Sequence, residues 1–205
     1  AVCCALISVD IKTTSIVCGD GTPIFAPVYG APKVSLLDGR VIPGNIAVYR
    51  KLVTLCDHSK SLQTTGFLVC YVHDLPEEIR HIKMAEAHMT LSNKPFMGTI
   101  FSAKALLEVV DMVSKKPPKK GACNLLHLIN STPPLVYQKN PLECLRASSL
   151  KGEGCIITSY MMMGATSPVT VLGTVAQGYA ENLIGMALSQ LYKEGSPVVF
   201  GLYAV

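Results

Sequence analysis

Charge is scarce in this chain. Only 16% of its 205 residues are Asp, Glu, Lys or Arg, against 49% apolar. That balance excludes a disordered segment and describes a chain buried on many faces, as α/β proteins are. The formal net charge of +4 is too small and too scattered to imply a nucleic-acid partner. No C-x-x-C occurs among the eight cysteines and no Cys/His group has zinc spacing, which argues against a metal finger. Cys70 and Cys155 stand inside apolar runs, where a free thiol packs as a small hydrophobe. A disulfide scaffold is the weaker reading at this size, and the usage fits a reducing cytoplasm. No apolar run reaches a membrane span: AVCCALISV and PVVFGLYAV are each about half of one. The start lacks the basic region of a signal peptide, and also an initiator methionine, so a processed product or a piece of a longer gene is expected. No G-x-G-x-x-G or G-x-x-x-x-G-K-[ST] follows an apolar run, which removes the main support for a nucleotide-binding wound sheet. No Ser-His-Asp or Cys-His constellation can be assembled from spacing.

What is present is alternation. The length suits one domain with a real core. From residue 61 onward, short apolar segments at 66–73, 94–100, 123–130, 154–161 and 196–203 alternate with helical patterns. Alternation at about thirty residues predicts right-handed βαβ units and a parallel sheet. The expected fold is α/β, a TIM-type (β/α)8 barrel left incomplete by five strands. Helices are predicted over 75–91, 102–116, from Asn140-Pro141, and from Ser167. Ser102 is expected as an N-cap, and Ser167 or Thr166 is expected to cap the long last helix. Residues 1–60 read differently. GTPIFAPVYG and APKVSLLDGRVIPG predict short antiparallel strands turning at Gly30-Ala31-Pro32 and Asp38-Gly39, followed by one helix in NIAVYRKLVTLCDHS. This is a β-rich entry segment to the barrel.

In a parallel sheet, ligands gather at the carboxyl ends of strands. Those ends carry Tyr71 and His73; Phe96, Met97 and Gly98; Asn130, Ser131 and Thr132; Tyr160 with Met161 to Thr166; and Leu202 and Tyr203. Aromatic, thioether, amide and hydroxyl groups dominate, and Asp74 is the one carboxylate. Such a ring suits a greasy, cation-tolerant pocket. A methionine run alone is more plainly core, but this one stands beside Gly164 and before a helix whose free amides at Gly164–Ser167 are expected to hold a carboxylate. Gly164 is expected where a Cβ would crowd a ligand. Asn130 is the stronger polar candidate, since a buried amide at a strand end needs partners. His73 is a candidate base, although packing is the commoner role of such a histidine. His81 and His88 are expected on the outer surface of their helix. SKKPPKKG, the basic cluster at 114–121, reads as a solvated loop.

The segments NKPFMGTIFSAKALLEVVDM, LLHLINSTPPLVYQKNPLECLRA and MMMGATSPVTVLGTVAQGYAENLIGMALSQL, with GSPVVFG after them, resemble the trimethylamine:corrinoid methyltransferase family. Relatives acting on glycine betaine belong to it. Its most specific parts here are the Gly-Ala-Thr-Ser-Pro-Val-Thr corner and the Ala-Glu-Asn that follows. The resemblance implies a (β/α)8 barrel that passes a methyl group from a methylated amine to cobalt(I) of a corrinoid on a separate protein. It also implies that this chain is a central piece of a longer one, with the pyrrolysine-bearing stretch of the trimethylamine enzymes lying past Val205. Under this reading Tyr71, Phe96, Tyr160, Met163 and Tyr203 wall the cation. Asn130 and the Gly164, Thr166 and Ser167 turn hold its polar end, Asp74 balances its charge, and His73 is the acid–base candidate. The rival expectation is a truncated, non-catalytic barrel serving as a binding or assembly module. A phosphate-binding barrel enzyme is a third and is least supported, for want of a Gly-rich loop.

Five βα units leave two sheet edges uncovered, and open edges pair with other chains. A homo-oligomer covering residues near 66–73 or 196–205 is expected. Light scattering at micromolar concentration should give a mass of two chains or more, and a stable, non-aggregating monomer would contradict this.

Overall fold

The computed structural model describes residues 7–11, 14–18, 26, 30–114 and 122–205. Strands β1 (Ile7–Ile11) and β2 (Thr14–Cys18) form an antiparallel hairpin. Strands β3 (Lys33–Ser35) and β4 (Val41–Pro43) form a second one, turned at Asp38-Gly39 with Gly39 at φ 84°. Helices α1 (Ile46–His58), α2 (Glu77–Leu91) and α3 (Ala103–Val113) follow. Strand β5 (Ala122–Cys123) lies parallel to β1. Then come β6 (Leu126–Ser131), α4 (Lys139–Lys151), β7 (Gly154–Met161), α5 (Val171–Tyr192), β8 (Val198–Phe200) and β9 (Tyr203–Ala204). Apart from Ala26 and Gly30, the stretch GTPIFAPVYG lies outside the described residues, as does the basic cluster after Ser114.

The parallel sheet is present. β6, β7 and β8 pair in parallel, with Leu128 beside Ile156 and Ile156 beside Val199. β9 continues along β7 in the same register, pairing Tyr203 with Tyr160. The first two expected strands differ. Residues 64–73 and 94–98 run as neighbours, but only Thr65 N to Pro95 O (3.1 Å) and Met97 N to Gly66 O (2.9 Å) join them, and Gly98 N to Leu126 O (2.8 Å) ties the second to β6. The donors of the first segment go elsewhere: Tyr71 N bonds Ala31 O at 3.1 Å and His73 N bonds Gly44 O at 3.0 Å. Pro95 has no N–H to give, and Gly66 sits at φ 66°, off the strand region. The entry segment thus takes the ladder positions that the second strand would fill. The described residues form an open arc, and no closed barrel is seen among them.

Helix starts follow local chemistry. Asn45 Oδ1 accepts from Val48 N (2.9 Å) at α1, and Ser102 Oγ from Ala105 N (3.1 Å) at α3, as the sequence led one to expect for Ser102. The cap of α5 is Thr170, whose hydroxyl accepts from Gly173 N at 3.2 Å, and not Ser167 or Thr166. Those two residues lie in a turn that comes before the helix.

The core lies between the arc and its helices. Val53, Met84, Leu106, Val109, Leu145, Ile129 and Ile157 are fully enclosed. His81 and His88 are buried in it, contrary to the surface placement expected from their spacing. His81 Nε2 lies 2.5 Å from Glu108 Oε2 on α3. His88 Nδ1 meets Thr65 Oγ1 at 2.8 Å, its Nε2 meets Tyr49 Oη at 2.7 Å, and its ring stacks on Phe96. A helix packed between neighbours on both sides has little outer surface, and spacing alone does not reveal that. His127 is also enclosed, with Nδ1 at 3.1 Å from Thr99 O and no partner for Nε2.

Burial pulls both His88 and His127 down to about 4 from the ordinary 6.5. In the unfolded chain they bind protons below pH ~6.5, while the folded chain resists until about 4. Their contribution to stability is therefore intact above pH ~6.5 and falls as pH drops through that window. Urea titrations should show a loss of about 1.4 kcal/mol per pH unit per histidine, and His88→Gln should remove about half of that slope.

Candidate functional site

The sheet register sorts the strand residues into two faces. Leu128, Ile156 and Val199 form one row across β6, β7 and β8. Two residues on along each strand, Asn130 and Thr158 pair, and beyond them Tyr160 pairs with Tyr203. All of these share one face, opposite the one that α5 covers. The other face carries Ile129, Ile157 and Phe200, then Ser131 beside Ser159. Helix α5 covers that second face closely. A Cβ on Gly185 would stand 2.7 Å from Ile157 Cγ2, and one on Gly178 only 2.3 Å from Leu202 Cδ1. Only glycine permits such an approach.

This first face is open and aromatic at its carboxyl end. Tyr160 and Tyr203 stack with ring centres 5.1 Å apart and planes 13° from parallel. They are 47% and 56% exposed. Asn130 and Thr158 beside them are half-buried. Where β6 meets the 94–100 segment, a cavity of about 290 Å³ is lined by Phe67, Met97, Ile100, Phe101 and Leu128, with Thr99 among them. Strands β6 to β9 contribute no carboxylate to this face.

Two loops rise above these strand ends, and α5 holds both. Glu181 Oε1 accepts from Leu135 N (2.8 Å) and from Gln177 Nε2 (3.0 Å), and its Oε2 accepts from Ser131 Oγ. Gln177 Nε2 also donates to Thr166 O at 3.0 Å, in the loop after β7. Asn182 Oδ1 accepts from Ser159 Oγ at 2.8 Å, and its amide donates to Gly201 O. Leu135, at φ 57°, closes a turn in which Thr132 N bonds Val136 O at 2.7 Å. A leucine in the left-handed region costs roughly 1–2 kcal/mol, so the Glu181 bond to its amide is part of what keeps it there.

The loop after β7 differs from the sequence expectation. Its amides are occupied within the loop: Gly164 N bonds Ser167 O at 3.0 Å, and Ala165, Thr166 and Ser167 N all bond Met162 O at 2.9–3.2 Å. They are not held out for a ligand. Gly164 is required by its φ of 77°, and a Cβ there would meet nothing nearer than Val169 at 3.8 Å. Thr166 Oγ1 accepts from Met162 N at 2.9 Å, and Ser167 Oγ lies 3.0 Å from Thr174 Oγ1. Met163 is exposed at the loop's start, with its N bonded to Val205 O at 2.9 Å.

The other expected site residues scatter. Tyr71 is half-buried under Arg80, which donates to its hydroxyl at 2.9 Å and stacks 5.0 Å from its ring centre. His73 is exposed beside it, with Nε2 at 3.1 Å from Pro32 O. Asp74 Oδ1 accepts from Ile46 N at 2.9 Å and so is taken up by the start of α1. Phe96 points into the core against His88, not toward the strand-end ring. Of the predicted set, Asn130, Tyr160 and Tyr203 meet on one face, with Met163 to Ser167 at its rim. Thr158 and Gln177 were not singled out, and Glu181 and Asn182 were named only as the Ala-Glu-Asn of the resemblance, with no role in the site. The local signal for Gln177, Glu181 and Asn182 is a Gln and a Glu-Asn pair, four residues apart, inside a largely apolar helix.

At φ 77° a branched side chain is strained, so Gly164→Val should lower stability by roughly 1–2 kcal/mol in thermal unfolding. An unchanged melting temperature would show that the turn relaxes freely.

Residues 10–205 match the family model described as trimethylamine methyltransferase (MTTB). The chain is 32% identical over 197 residues to a glycine betaine methyltransferase of Desulfitobacterium hafniense (strain Y51), an alignment covering 91% of this chain and 40% of that protein. It is 34% identical over 194 residues to a proline betaine:corrinoid methyltransferase of Eubacterium limosum, covering 84% of this chain and 38% of that protein. The chain thus spans about two-fifths of the length of the curated relatives it matches. With its match running from the first hairpin to the last residue, the chain belongs to the trimethylamine methyltransferase (MTTB) family.

Proposed function

We propose that this chain forms the amine-binding part of a corrinoid-dependent methyltransferase, acting on a quaternary ammonium such as a betaine in a reducing cytoplasm. The observation that carries the reading is the open face at the carboxyl ends of β7 and β9, where Tyr160 and Tyr203 stack beside Asn130 and Thr158. Aromatic faces attract quaternary ammonium, and they do so best where water is thin. The amide of Asn130 and the hydroxyl of Thr158 offer hydrogen bonds to a polar end such as a carboxylate. Met163, Gly164, Thr166 and Ser167 shape the rim, and Tyr71 with His73 forms a second aromatic edge at the far end of the arc. Phe96 packs against His88 in the core and lies outside this face.

A corrinoid on a partner protein supplies, when bound, the cobalt nucleophile that accepts the methyl group. The residues described here bind and orient the amine. The exposed apolar groups at the same end, Leu135, Val136, Met162 and Val169, offer that partner a docking rim. Among the described residues, cysteines 56, 70, 144 and 155 take part in no disulfide, in keeping with a reducing compartment. No helix among the described residues is long and apolar enough to cross a membrane.

One observation favours the second reading, a non-catalytic binding or assembly module. Helix α5 turns Leu172, Val175, Tyr179 and Leu183 outward along one side, an exposed apolar face of the kind another chain covers.

Turnover separates the two. Incubated with a corrinoid protein reduced to cobalt(I) and with trimethylamine, glycine betaine or proline betaine, the chain should yield the amine short of one methyl group, read by mass spectrometry. Absence of any demethylated product from well-folded protein would favour the module. Tyr160→Leu should weaken glycine betaine binding about tenfold in calorimetry with little change in melting temperature, as expected for loss of one cation–π contact.

A further inference from the structure

The cavity beside Leu128 is hollow although large side chains surround it. Phe67, Met97 and Thr99 are each no more than 3% exposed, and the space between them and Leu128 is about 290 Å³. Cores normally pack with few voids larger than a water molecule, because an empty one forfeits contacts. Here the walls are braced from behind. The Phe67 ring stacks on those of Phe96 and His88, with ring centres 6.4 and 5.8 Å away, and its carbonyl accepts from the Tyr49 hydroxyl. A Cβ on Gly98 would stand 2.0 Å from the His127 ring, so only glycine lets the 97–99 stretch lie that close to it. A carbonyl can only accept, so the 3.1 Å contact between His127 Nδ1 and Thr99 O puts the proton on Nδ1 and pins the same stretch.

The lining defines the chemistry that fits. Two phenyl rings, a thioether and aliphatic chains make up the walls, and no lining residue is charged. Phe101, 36% exposed and set edge-on to Phe67 with ring centres 6.3 Å apart, is the wall that reaches solvent. Burying a cation in so enclosed a place without an anion is costly, so the cavity suits an uncharged ligand. One polar group is available to it. Thr99 Oγ1 accepts from Phe101 N at 3.2 Å, and among the described residues none accepts its proton, which leaves one O–H donor. An apolar cavity of about 150 Å³ already holds benzene, so a ring of about six to eight carbons fits this one. The aromatic pair is elsewhere: Tyr160 lies four residues along β7 from Ile156, the neighbour of Leu128, which is roughly 13 Å of strand.

We propose that this cavity is a second binding site, for an uncharged, mainly hydrocarbon molecule with one hydrogen-bond acceptor, which the Thr99 hydroxyl anchors. The site does not depend on the reading of the Tyr160 and Tyr203 face as an amine site.

Cyclohexanone is the probe, since it has a six-carbon ring, no charge and one carbonyl acceptor. Calorimetry on the whole chain should show saturable binding, and its absence would overturn the proposal. Tetramethylammonium should not displace the probe. Displacement would mean that the cavity takes the cation, and the assignment to an uncharged ligand would fall. Thr99→Val keeps the shape and removes the donor, so cyclohexanone should bind about fivefold more weakly, the worth of one neutral hydrogen bond. Methylenecyclohexane, which lacks the oxygen, should bind wild type and Thr99→Val alike. Equal losses for both compounds, or none for cyclohexanone, would refute the anchoring hydroxyl. Leu128→Phe should fill the space and abolish binding, and retained binding would place the probe elsewhere. Should that variant not fold, nuclear Overhauser contacts from cyclohexanone to the ring protons of Phe67 and Phe101 in the wild type decide: their presence supports the cavity and their absence refutes it.

Discussion

Strand β7 is paired along both edges, and the rest of the described structure is arranged around it. β6 lies against it over six residues, from Leu126 beside Gly154 to Ser131 beside Ser159. On its other side β8 and β9 follow one register from Val198 to Ala204. Because side chains alternate at a period of two, this double pairing decides at once which residues look outward and which look toward the helices. A slip of one residue would bury Tyr160 and Thr158 and expose Ile157 and Ser159. Hydrophobic Ile157 and Ile129 against α5, and glycines 178 and 185 that let the helix approach, make that slip costly.

Helix α5 reverses the usual arrangement of an amphipathic helix. Its buried side carries Thr174, Glu181, Asn182 and Ser189, and its exposed side carries Leu172, Val175, Tyr179 and Leu183. The polar residues are satisfied by the sheet and its loops, so the burial is tolerated. They also join the two loops to one rigid element: Glu181 takes the loop after β6, and Gln177 the loop after β7. A site formed by loops gains precision when both are anchored to the same helix. In a family whose relatives here are named for betaines, this places a buried polar hub directly beneath the aromatic face.

The sequence by itself determined the helices, the parallel strands at 126–131, 154–161 and 198–204, the second hairpin and the family. Each of these rests on local signals: apolar runs, Ser102 as a cap, the Asp38-Gly39 turn, and motifs that need no distant partner. Tertiary structure decided the rest, because it depended on which groups compete for the same partner. The hydrogen-bond donors of residues 71 and 73 went to the entry segment, so an expected strand became an extended segment without a ladder. Asp74, legible only as a lone carboxylate, was claimed by the amide of Ile46, and the amides of the Gly164 turn by Met162. Phe96 and His88 turned inward because helices pack on both sides of them. The stacking of Tyr160 on Tyr203 and the enclosure of Glu181 arise from residues far apart in the chain brought together by register, and no local pattern encodes that distance.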